Sequence, residues 1–128
     1  MIKIDFHTPY YDYDITLLQV ESEKDADIVC KYLSIKKFDK EYIDDVRNNI
    51  EQKYVNGGET NWNQLTKRII VIFYTFTSDR KMAEVFSHEK RHIEDRILQH
   101  CKVDDIEASA YFAGFLGMKF YEFWKKIK

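Results

Sequence analysis

The chain has 128 residues, 45% of them apolar and 16% aromatic, with one Pro and four Gly. That composition excludes collagen-like, linker-like and disordered chains, because it can bury enough surface to offset the entropy of ordering. Twenty Lys and Arg stand against 22 Asp and Glu, a net charge of −2, so no global field draws the chain onto nucleic acid or an anionic membrane.

The length predicts a single domain over 1–128. No apolar run reaches the roughly 18 residues of a membrane span, and the opening MIKIDFHTPYYDYD carries acids and aromatics where a secretory signal would be basic and then apolar. A cytoplasmic protein is therefore expected. Cys30 and Cys101 lack paired metal or redox spacing, and both are expected to be buried free thiols.

In chain order, Ile2, Ile4 and Phe6 alternate with Lys3 and Asp5, the period of a half-buried strand that Pro9 ends. Ile15 to Val20 reads as a second strand, a hairpin partner of the first. Ser22 with Asp25 resembles a helix start, and Ala26, Ile28, Val29, Tyr32 and Leu33 supply an apolar face to about Ile35. Asp39 caps a further helix bearing Tyr42, Ile43, Val46, Ile50 and Tyr54, stopped by Asn56, Gly57 and Gly58.

Glu59 to Thr66 shows no period, and its Trp62 is expected to anchor a loop. Arg68 to Thr77 is a β-branched and aromatic run, the composition of a central strand covered on both faces. Ser78 then caps a long helix from Asp79 to about Cys101. Asp104 or Asp105 opens a last helix whose Ile106, Ala110, Ala113, Gly117, Phe120, Trp124 and Ile127 form a seam, with Ala110, Ala113, Gly114 and Gly117 small enough for close helix packing. The expected fold is α/β (α+β): about three strands and four helices in the order β-β-α-α-β-α-α.

The long penultimate helix carries His88-Glu89-Lys90-Arg91-His92, the pattern HExxH. Residues four apart on a helix lie about 40° apart and one turn along, so His88 and His92 present two imidazoles to one point. Zn²⁺ held by such donors keeps a position for water and lowers its pKa toward about 7. Glu89 is placed to accept the proton of that water as general base. A third ligand is needed, and Glu107 in the first turn of the last helix is the leading candidate, with Asp104, Asp105 and His100 as the others. Asp95, one turn past His92, is expected to orient a histidine from the second shell. Tyr111, four residues after Glu107, is a candidate donor to a developing oxyanion.

HEKRH together with Asp105-Ile106-Glu107-Ala108-Ser109-Ala110-Tyr111-Phe112-Ala113-Gly114-Phe115-Leu116 resembles the glutamate-zincin plan, and more narrowly is similar to small intracellular zincins of the ImmA/IrrE type. The resemblance spans about 30 residues, Ser87 to Leu116. It implies zinc on His88, His92 and Glu107, Glu89 as base, and a peptide or protein substrate, in that family a cytoplasmic repressor. The expected function is a minimal zinc metallopeptidase. The alternative is a protein-interaction module without chemistry, its histidines on the surface and its contacts made by the Tyr10, Tyr11, Tyr13 loop or the Trp62 region.

Overall fold

The alternating Ile2, Ile4 and Phe6 form strand β1 (Ile2–His7), and after the turn at Pro9 the chain returns as β2 (Asp14–Gln19). The two pair antiparallel as expected, with Ile4 opposite Leu17. In the computed structural model, which describes residues 1–128, they belong to a four-stranded sheet completed by β3 (Gly58–Asn63) and β4 (Arg68–Phe73), in the order β1-β2-β4-β3. β4 runs parallel to β2 and antiparallel to β3, which makes it central and leaves β3 at an edge.

The fold is mixed α/β with four helices, as the sequence predicts, but the sheet has four strands rather than three. The missed strand is β3, in the segment expected to be a loop. All six of its residues are half-buried, so no sharp alternation of apolar and polar marks it.

Ser22 forms both arms of a capping box with Asp25, and a single 3₁₀ turn (Glu23–Asp25) leads into α1 (Ala26–Ile35). Its inward residues are Ala26, Val29, Cys30 and Leu33, whereas Ile28 and Ile35 face solvent. Helix α2 (Lys40–Glu51) ends before the expected Asn56 stop, because Gln52 and Lys53 turn the chain, Lys53 in the left-handed region at φ 56°. Tyr54 therefore leaves the helix and packs edge-on against Tyr74.

Register sorts the sheet into two faces. Leu18, Val20, Ile70, Ile72 and Tyr74 meet α1 and α2, while Ile15, Leu17, Ile69, Val71 and Phe73 meet α3 (Asp79–His100) and α4 (Ile106–Ile127). Each face carries its own apolar core, and the sheet is the middle of three layers.

Ser78 and Asp105 cap α3 and α4 as expected, their side chains accepting from Lys81 N and Ala108 N. The buried line of α4 is Phe112, Leu116, Phe120 and Phe123; of the expected seam Phe120 is buried, Ala113, Gly117, Trp124 and Ile127 are half-buried, and Ile106 and Ala110 lie exposed. The phenylalanines take the inward positions because burying an aromatic ring removes far more apolar surface than burying Ala or Gly. Cys30 is buried, but Cys101, expected in the core, is exposed at the end of α3. No helix is long and apolar enough to cross a membrane.

Candidate metal centre

Helix α3 turns Met82, Phe86, Glu89, Ile93 and Ile97 toward the sheet at spacings of three and four. Four of these are apolar; the fifth is a carboxylate, and Glu89 is only 4% exposed. Its neighbour His88 and, one turn on, His92 point from the same flank into solvent. Their Nε2 atoms lie 3.1 Å apart, with the rings at 87° and their centroids separated by 4.6 Å. Two imidazoles bonded tetrahedrally to one Zn²⁺ at 2.0–2.1 Å would have nitrogens about 3.3 Å apart. One donor atom from each of His88, Glu89 and His92 falls within 4.8 Å of the others.

The buried carboxylate is held by the edge strand. Thr60 donates its hydroxyl to Glu89 Oε1 at 2.9 Å. Oε2 lies 3.9 Å from His88 Nε2. An ionised carboxylate offers about four acceptor sites, and a single hydroxyl donor leaves most of its capacity for a cation or a water. That spare capacity, beside two converging nitrogens, gives a group that could hold a metal ion.

Gly58, two residues before Thr60 on the same face, makes the approach possible: a Cβ there would stand 3.0 Å from Glu89 Cγ and 3.1 Å from Val85. Sequence reasoning missed both residues, since only the unrecognised strand brings them to α3. A hollow of about 390 Å³ opens between β3 and α3 over His88, Glu89, His92, Thr60 and Arg96. A second hollow, sharing Gly58, His88 and Glu89, extends it toward Asn56.

On the far side of β3, Glu59 takes hydrogen bonds from Asn49 Nδ2 at 2.7 Å and Tyr74 Oη at 2.9 Å. Burial raises the Glu59 pKa above the usual carboxylate range; those two bonds pull it down, and the negative charges of Asp45 and Glu89 add to the rise. The Tyr42 hydroxyl, from α2, lines the same hollow as Glu59, and it is buried without a hydrogen-bond partner.

The other expected site residues lie elsewhere. Glu107 is exposed in the first turn of α4 and is absent from the donor group and from the lining of the hollow. Where α4 passes the motif it presents Gly117, at which a Cβ would stand 3.7 Å from Lys90 Cε; Glu107, ten residues earlier, is about 15 Å back along the axis. Asp104 and Asp105 precede it at the same end.

Tyr111 is 77% exposed and lines a separate groove with Pro9, Tyr10 and Phe115. Asp95 pairs with Arg91 at 3.2 Å rather than with a histidine. His100 is engaged by Tyr13, whose hydroxyl also accepts from Trp62 Nε1 at 3.2 Å. Tyr13 is fully buried, so it is core and not part of an exposed aromatic loop. Arg96 lies over the Trp62 ring at 5.0 Å.

The two charged residues inside the motif also find their places. Lys90 turns toward α4 and pairs with the buried Glu94 at 2.9 Å, while Arg91 stays on the exposed side with Asp95. Neither lines the hollow.

The chain was also compared with known proteins. No family model, curated protein or solved structure matches it.

Proposed function

We propose that this chain is a minimal metal-dependent peptidase of the HExxH kind, with His88 and His92 as its protein ligands and zinc as the expected ion. The observation that carries the reading is the pair of Nε2 atoms 3.1 Å apart beside a buried carboxylate that has only one hydrogen-bond donor. Bound there, zinc supplies Lewis acidity and a water acidic enough to react near neutral pH.

Glu89 would take a proton from water on Oε2 as the water oxygen adds to the peptide carbonyl, and would return it to the amine as the C–N bond breaks, while Thr60 fixes Oε1 and so keeps the free oxygen toward the histidines. The trough between α3 and the unpaired edge of β3 suits an extended peptide, added to the sheet as a further strand. With Glu107 remote, His88 and His92 would be the protein ligands, and affinity for the ion is expected to be lower than in sites with three or four protein ligands.

The test is metal content together with cleavage. Protein purified without chelator and equilibrated with zinc should retain one equivalent, and His92→Ala should lose it. Glu89→Gln should keep the metal and lose cleavage of a mixed-sequence fluorogenic peptide pool. Wild-type protein that retains no zinc at neutral pH contradicts the reading.

An interaction module without chemistry draws on a different observation, the aromatic groove of Pro9, Tyr10, Tyr111 and Phe115. Wild-type protein that binds zinc and cleaves nothing, with Glu89→Gln indistinguishable from it, favours that second reading.

A further inference from the structure

The outer face of α4 is unpartnered and has an order of its own. Glu107, Tyr111, Gly114, Met118, Tyr121 and Lys125 are all exposed, with Tyr111 at 77%, Met118 at 50% and Tyr121 at 61%. Their spacings are four, three, four, three and four, so at 100° per residue they fall within a straight band about 80° wide. The series reads the same from either end. When a second copy of the helix is laid antiparallel about the middle of the band, Glu107 meets Lys125, Tyr111 meets Tyr121, and Gly114 meets Met118.

Each of those meetings is complementary. Glu107 and Lys125 are unlike charges, and neither has an ion-pair partner within the chain, whereas nearby Lys119 pairs with Glu122 and Lys128 with Asp79. A Cβ at Gly114 would find nothing within 4 Å, so the face has an open notch there, and Met118 is the flexible side chain best suited to fill an irregular gap. Two tyrosines flank the notch on either side, and rings of this kind favour edge or offset pairing. A parallel pairing would instead set Glu107 on Glu107 and Gly114 on Gly114.

We propose that α4 is a homodimer interface, in which two copies of this chain pack antiparallel through the band from Glu107 to Lys125 around a two-fold axis. Such an isologous contact uses one patch twice and closes on itself. It lies on the helix that packs beside β1, away from the edge strand β3 and the histidines, so it stands independently of the proposed chemistry.

Sedimentation of the full chain over a wide concentration range tests this. The wild type should shift toward twice the monomer mass as concentration rises. Gly114→Arg has room within a single chain and should remain monomeric, while Ala83→Arg on the exposed side of α3 should behave as wild type. Glu107→Lys should weaken the dimer, and adding Lys125→Glu to it should restore the association, which fixes the antiparallel register. A wild type that stays monomeric at its highest soluble concentration overturns the proposal. So does a dimer that Gly114→Arg leaves unchanged, and so does a Glu107→Lys variant that associates as the wild type does.

Discussion

Glu89 occupies a position in α3 that its neighbours Phe86 and Ile93 would give to an apolar residue, and its carboxylate accepts one hydrogen bond there, from Thr60. A hydrogen bond to a charged group contributes about 1.5–3 kcal/mol. Thr60→Val, which keeps the shape and deletes the donor, should lower the unfolding free energy in urea by about that amount, and Thr60→Ser should recover most of it. A loss within error of zero would mean that the carboxylate is solvated some other way.

Glu59, across the strand, gives a pH signature. Burial raises its pKa in the folded state, so folding favours the protonated form. Its contribution is fully present below the ordinary glutamate value of about 4.3 and declines as pH rises through the raised one. In chelator, Glu59→Gln should therefore lose less stability than wild type between pH 4 and 8, measured as the urea midpoint. Equal slopes for the two proteins would refute this.

Among the elements, β3 decides the site, and Gly58 decides how closely β3 meets α3. The 3.0 Å that separates its missing Cβ from Glu89 Cγ is tighter than ordinary contact. Gly58→Val should push the Glu89 side chain off Thr60 and reduce cleavage of the peptide pool at least tenfold, with bound zinc and the helical signal in circular dichroism retained; unchanged cleavage would separate the strand from the site. Helix α1 offers a simpler case. Ser22→Ala removes one arm of the capping box on the 3₁₀ turn that leads into it and should cost about 1 kcal/mol by thermal unfolding.

Elements with a strong period were legible from sequence. Ile2, Ile4 and Phe6, the run from Arg68, and the caps Ser22, Ser78 and Asp105 each announce themselves locally. β3 was not legible, since Gly58, Thr60 and Trp62 face α3 while Glu59 and Asn61 face the other layer, and all of them are only half-buried. Asn56-Gly57-Gly58 reads as a helix stop, yet the last of these glycines opens the strand.

At the scale of the whole molecule, the three-layer arrangement separates residues that sequence proximity suggested would meet. α4 does return along α3, but the return aligns Gly117 with Lys90 and leaves Glu107 near the far end. The histidines face the opposite flank, toward β3, and α4 covers the β1 side. The motif His88-Glu89-His92 was legible because helix geometry alone brings four-apart residues together. Its surroundings were not, because Thr60 and Gly58 reach it only through the sheet.

The proposed chemistry requires that one ion bind both imidazoles. X-ray absorption at the zinc edge, on protein loaded with one equivalent, tests it most directly. The zinc shell should contain two imidazole nitrogens at about 2.0–2.1 Å, with the imidazole scattering lost in the His88→Ala/His92→Ala variant. A shell of oxygen alone in the wild type, or a spectrum that the double substitution leaves unchanged, would contradict it.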